Sequence, residues 1–202
     1  MEKHFARIIS FIFHPLLVPT YVIALLLYQQ AFFAIMIPPD VKWRIVALVF
    51  ISSAVFPVMA LLGMYRLGLI PGLMMEERAA RFYPYITSTL FFSLSFYLTW
   101  QIQLSSVYYY CLLGAAILSL LSLIINLYWK ISAHMLSMGA VAGFFTALHI
   151  LLQIDFFWMI STGILLAGLV GYARLLTGTH TQAQVYAGFF TGFLVMFLLV
   201  LY

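Results

Sequence analysis

The segment ARLLTGTHTQAQ sets Arg174, then five residues, then His180, and earlier in the chain KISAH gathers Lys130, Ser132 and His134 at the mouth of an apolar stretch. A guanidinium holds phosphate oxygens through paired donors. An imidazole, titrating near neutrality, suits both attack on phosphorus and proton transfer. A phosphomonoester resists attack because its oxygens are negative and its leaving alkoxide is poor, so catalysis needs clustered cations, a nucleophile and a proton donor. One histidine forming a phosphohistidine while the other protonates the departing oxygen, then activates water, splits that reaction into two easier steps. Arg174, Arg78, Arg81 and Lys130 are candidate holders of the phosphate oxygens. Ser132 and the N–H groups opening the helix after it add neutral donors where the helix dipole favours an anion.

Those residues sit in a chain that is 66% apolar and 7% charged over 202 residues, with a mean hydropathy of +1.13. A soluble globule needs far more polar surface, so the composition specifies an integral membrane protein. Apolar runs of about 20 residues match a hydrocarbon core about 30 Å thick crossed by helices, and the alternation of barrel strands is not visible. The expected fold is an all-α polytopic membrane helix bundle of about six to seven transmembrane helices, forming a single domain over residues 1–202. The N-terminal apolar stretch lacks a small-residue cleavage site and reads as a retained anchor. Cys111, the one cysteine, falls inside an apolar run and reads as a small core residue.

Apolar runs between charged breaks predict helices near Ile8–Tyr28, Ile45–Tyr65, Tyr83–Ile102, Tyr108–Tyr128, Ala133–Leu152, Phe156–Ala173 and Val185–Tyr202. Trp43, Trp100, Trp129 and Trp158 all fall at span ends, where an amphipathic ring favours the membrane interface. Counting spans puts the Arg78–Arg81 loop, the Lys130–His134 segment and the Arg174–His180 segment on one side of the membrane, with Asp40, Lys42, Arg44 and Asp155 opposite. The three same-side segments then converge on one interfacial site.

Arg174, five residues, His180, three residues, Gln184 resembles the third signature of the phosphatidic acid phosphatase type 2 superfamily, which includes lipid phosphatases, glucose-6-phosphatase and vanadium haloperoxidases. Ser132-Ala133-His134 is similar to its second signature, Pro-Ser-Gly-His. The resemblance implies that His180 is the nucleophile, His134 the general acid, Arg174 a phosphate ligand, and Ser132 with the Ala133 amide further phosphate donors. The chain departs from the pattern in carrying Ala173, Ala133 and Ile131 where the family has serine, glycine and proline. Of the first signature it offers only Arg78, Arg81 and Pro84 at altered spacing. Gln184 stands where the family has an aspartate; glutamine accepts a hydrogen bond from the imidazole but brings no negative charge, which implies reduced turnover.

The resulting expectation is a membrane lipid phosphatase acting on a phosphomonoester or pyrophosphate head group, with a catalytically weak relative that binds or moves phospholipids as the alternative. A transporter or structural membrane protein, in which the cations only set orientation, is a further rival. Phosphatidate, phosphatidylglycerol phosphate, a polyprenyl pyrophosphate and phosphorylated lipid A are candidate substrates. The partners expected are the phosphorylated lipid and the bilayer. The net charge of +4 is scattered over loops rather than gathered in a stripe, which argues against a nucleic-acid partner. No cofactor is expected, and no metal, since no histidines stand at i, i+4 and the carboxylates lie elsewhere. Lys3, Arg7 and Arg66 against Lys42 and Arg44 lean towards a cytoplasmic motif side, whereas the resemblance implies a site near the outer interface of a bacterial inner membrane. His149, about four turns along the fifth helix from His134, is expected near mid-membrane with a hydrogen bond to a neighbouring helix. His14, beside Pro15, reads as a packing histidine before a residue lining a lipid entrance. Small residues permit helix contact between protomers, but the oligomeric state is not readable.

Overall fold

The structure, a computed structural model, describes residues 2–70, 72 and 79–202. Among the described residues every regular element is helical. Five helical stretches among the described residues are long and apolar enough to cross a membrane: Pro39–Arg66, Ser106–Asn126, Ala133–Leu152, Phe157–Leu176 and Gln182–Leu201. Phe82–Gln101 equals the last three in length, at 20 residues, but its serines and threonines make it more polar. The chain is an all-α, multi-pass integral membrane protein. By packing, it divides into two compact units, Met1–Val18 with Lys130–Tyr202, and Pro19–Trp129.

The first unit holds α1 (Glu2–Ile12) and the three long C-terminal helices. The expected first span, Ile8–Tyr28, is not continuous. It breaks after α1 and resumes at α2 (Val18–Leu27) because Pro15 has no N–H to give and disfavours helical geometry at His14. α1 lies along the C-terminal helices, burying Ala6 and Ile9 among Met135, Met138, Ala167, Val170, Ala173 and Val185. The opposite face of α1 leaves Phe5 and Phe11 exposed, as suits a helix bounded by lipid.

The helices Ala133–Leu152, Phe157–Leu176 and Gln182–Leu201 are α8, α9 and α10 in chain order, joined by short turns so that α8 and α10 run parallel. Their contact is made by glycines at four-residue spacing on both partners. A Cβ at Gly139 would strike the Phe189 carbonyl, one at Gly143 the Phe193 carbonyl, and one at Gly192 the Leu136 carbonyl. At Gly188 it would stand 2.8 Å from the Ser132 carbonyl. Without a hydrophobic drive inside lipid, such backbone-to-backbone approach supplies the dispersion contact that holds two helices together. Leu165, Phe190 and Leu194 face outward, exposed.

In the second unit, α3 (Phe32–Ile35) precedes α4 (Pro39–Phe50), which starts earlier than the expected Ile45. Pro39 occupies the first helical turn, where its missing N–H costs nothing, and Asp40 pairs with Arg44 at 3.5 Å one turn on. Charges that read as loop therefore belong to a helix start. A π-helical turn, Ile51–Val55, leads into α5 (Phe56–Arg66), Phe56 N–H reaching back to the Ile51 carbonyl beside Pro57. After a 3₁₀ turn at Ala79–Arg81 come α6 (Phe82–Gln101) and α7 (Ser106–Asn126), packed against each other. Ser95 donates to Ser52 at 2.7 Å, and Ser52 to the Leu48 carbonyl at 2.7 Å, satisfying hydroxyls buried in the apolar interior. Cys111 is buried in α7. Of the tryptophans, Trp43 lies in the second turn of α4, Trp100 one residue before the end of α6, Trp129 just beyond α7 and Trp158 in the first turn of α9.

Candidate functional site

The start of α8, the end of α9 and the start of α10 meet at one end of the first unit. Arg174 lies in the last turn of α9. Gly178 takes a left-handed φ of +68°, and its N–H bonds the Leu175 carbonyl at 2.9 Å, closing the helix and turning the chain. Thr177 and Thr179 donate to the Arg174 carbonyl at 3.2 and 3.1 Å, bracing the turn that leads to His180. His180 is buried, only 7% exposed.

α10 opens with a reciprocal cap. Gln184 N–H donates to the Thr181 hydroxyl at 3.4 Å, and Thr181 N–H donates to Gln184 Oε1 at 3.1 Å. The same Oε1 lies 3.2 Å from His180 Nδ1. An amide oxygen only accepts, so His180 Nδ1 carries the proton and the neutral ring keeps its lone pair on Nε2. Gln184 Oε1 thus bonds the His180 imidazole while also capping its helix.

α8 opens at Ala133, with Ser132 as its cap: the fully buried Ser132 hydroxyl accepts from Met135 N–H at 3.5 Å. The Ala133 amide therefore stands at the positive end of the helix dipole. His134, half-buried, places Nε2 2.9 Å from the Ser10 carbonyl of α1. That carbonyl is released from α1 because His14 N–H turns back to Phe11 instead. A carbonyl only accepts, so His134 carries its proton on Nε2 and Nδ1 is the nitrogen left to exchange one. Arg174 Nη1 donates to the Ser10 hydroxyl at 3.3 Å. His134 lies within electrostatic reach of Arg174, His14 and His180.

Arg174, His134 and His180 thus come together, with Gln184 on His180 and with Ser132 and Ala133 beside His134. Lys130, partly exposed, lies two residues ahead of Ser132 in the loop entering α8. Arg78 lies outside the described residues. Arg81 belongs to the second unit, where its side chain hydrogen-bonds Tyr85. His149 departs from expectation: it is exposed near the C-terminal end of α8, its Nδ1 2.8 Å from the Ile154 carbonyl of the following turn rather than bonded to another helix. Sequence reasoning passed over Ser10, and it read His14 chiefly as packing. The available signal was their spacing of four, which in an unbroken helix would set two polar groups on one face immediately before Pro15. No family model, no curated protein and no solved structure matches this chain.

Proposed function

We propose that this chain is an integral-membrane lipid phosphatase that hydrolyses a phosphomonoester or pyrophosphate on a lipid head group through a phosphohistidine at His180. The observation that carries the reading is the His180 tautomer: Nδ1–H held by Gln184 Oε1 leaves Nε2 as an unprotonated nucleophile in a cluster with Arg174 and His134. In this reading Arg174 exchanges the Ser10 hydroxyl for phosphate oxygens, aided by the Ala133 amide, the Ser132 hydroxyl and Lys130. His180 Nε2 attacks phosphorus, the bond to the lipid oxygen breaks, and His134, entering the step as the imidazolium with Nε2–H on the Ser10 carbonyl and its second proton on Nδ1, gives that oxygen the Nδ1 proton. Water, losing a proton to His134, then displaces His180 and releases inorganic phosphate. We assign the site to the outer interface of a bacterial inner membrane, following the resemblance. Gln182→Cys, exposed beside His180, should react with a membrane-impermeant maleimide in intact cells, Cys111 being buried. Labelling only after lysis would reverse that assignment.

Gln184 favours a second reading, a relative that binds or moves phospholipids without hydrolysing them, because a neutral amide stabilises the developing imidazolium less than a carboxylate does. Two measurements separate the readings. Purified protein in nanodiscs should release inorganic phosphate from at least one member of a panel of phosphatidate, phosphatidylglycerol phosphate, polyprenyl pyrophosphate and phosphorylated lipid A, and orthovanadate should inhibit it. Gln184→Asp should raise kcat by about tenfold, the scale on which a partner orienting a functional imidazole acts. Binding without phosphate release by either protein would establish the second reading, and an unchanged or lower rate in Gln184→Asp would contradict the role given to His180.

A further inference from the structure

The break between α1 and α2 brings a third imidazole to the cluster. His14 lies at the turn forced by Pro15, and its ring centroid stands 5.5 Å from that of His134, with the two planes 84° apart. Its Nδ1 accepts the Leu16 N–H at 3.3 Å, so the neutral ring bears its proton on Nε2. Nε2–H is therefore the donor the ring has to offer.

His134 lies within electrostatic reach of Arg174, His14 and His180, and His14 within reach of Arg174. Three parts of the chain converge to put the Arg174 cation and the imidazoles of His14, His134 and His180 in one place. The acidic residues of this unit stand elsewhere. Glu2 is exposed at the start of α1, and Asp155 is in the α8–α9 turn, where it accepts the Phe157 N–H. A fixed cation and an N–H donor gathered at the end of an apolar bundle are stabilised when an anion joins them.

We propose that His14 is a phosphate-binding residue of this site, donating its Nε2–H to the phosphoryl group that Arg174 holds. The inference rests on the phosphatase reading and deepens it, because it makes the N-terminal helix break part of the substrate site. The Leu16 bond fixes which nitrogen bears the N–H, and the T-shaped packing against His134 sets the ring beside the cluster. A merely structural His14 would instead serve through Nδ1, bracing the turn.

The two roles use different nitrogens, and two substitutions separate them. Glutamine reaches about as far as Nε2 and retains an N–H donor there; asparagine places its amide oxygen near the position of Nδ1, keeping the acceptor for Leu16 N–H. With purified full-length protein in nanodiscs, His14→Ala should raise KM for the active lipid about tenfold, as loss of a charge-assisted hydrogen bond does, and weaken orthovanadate inhibition by a similar factor. Its kcat should change by less than about threefold, since binding in ground and transition states is lost alike. His14→Gln should recover most of both affinities and His14→Asn neither; this pair carries the test if the alanine variant does not fold. Rescue by Asn alone would mean that His14 braces the turn, and the proposal falls. Lipid affinity lost with vanadate inhibition intact also overturns it, because His14 would then read the lipid and not the phosphoryl group. Wild type that hydrolyses lipid and is inhibited by vanadate, beside His14 variants that match it, defeats this proposal alone. Wild type that neither releases phosphate nor responds to vanadate defeats the phosphatase reading and this proposal with it.

Discussion

His180→Ala is expected to lower kcat for lipid phosphate hydrolysis by roughly 10³-fold or more, the loss of at least about 4 kcal/mol of transition-state stabilisation. On the proposed mechanism, loss of Nε2 leaves only direct attack of water on phosphorus. The protein should otherwise remain intact. The Gly178 turn is held by Thr177 and Thr179 on the Arg174 carbonyl, and the start of α10 by the Thr181–Gln184 cap, none of which needs the imidazole. His134→Ala should cost less, about 10²-fold, since a general acid is replaced in part by water. Parallel measurement of phosphate release and thermal melting in detergent checks both. If cations at this end only set membrane orientation, His180→Ala would leave every measured property unchanged.

Gly192→Leu is expected to have the largest effect on stability. The Cβ alone would fall on the Leu136 carbonyl, with Ala140 N also within 2.9 Å, and neither backbone group can swing aside as a side chain would. α8 and α10 must separate, losing the close approach at Gly139, Gly143 and Gly188 together. Overpacking costs typically 1–3 kcal/mol where side chains give way. Against backbone, and with the remaining leucine atoms to accommodate, the expected loss is about 3 kcal/mol or more, on the order of a quarter of a domain's total stability or greater. Activity should fall with it, because the same contact sets the Ser132 carbonyl against Gly188 and so places the start of α8 beside α10. Gly163→Leu is the control, as a Cβ there meets only Val141 Cγ1 at 3.6 Å. Unfolding in mixed micelles under increasing dodecyl sulfate measures both variants; equal destabilisation would show that the glycine contact is not what holds the unit.

Much of this architecture was legible because it depends on local pattern. α8 has the ends expected from hydropathy alone, Ala133 and Leu152, since Ser132 caps it and polar residues follow it. α9 and α10 differ by a few residues. α10 begins at Gln182 and not Val185, because Thr181 and Gln184 form a cap that hydropathy reads as loop, although the Thr-x-x-Gln spacing is itself a helix-start signal. The break at Pro15 was likewise available from proline chemistry and was outweighed by the unbroken apolar run. The pairing of Gly139 and Gly143 with α10 was less accessible: spacing of four shows which residues share a face, but not which helix that face meets.

The same distinction governs the candidate site. Arg174, His180 and Gln184 are close in sequence, and a helix end, a glycine turn and a helix start bring them together by local geometry. The meeting of Ser10 and His14 with His134 and Arg174 spans 164 positions at its widest, and periodicity carries no information at that range. Arg81 belongs to the other unit, where its side chain hydrogen-bonds Tyr85.

Rapid acid-free quenching of wild-type protein with a lipid bearing a radiolabelled phosphate tests the central claim most directly. A protein-bound label is expected, stable in base and lost in acid as a phosphoramidate is, mapping to His180 by peptide sequencing and absent from His180→Ala. Steady release of phosphate without any label on His180, or equal labelling of His180→Ala, would contradict it.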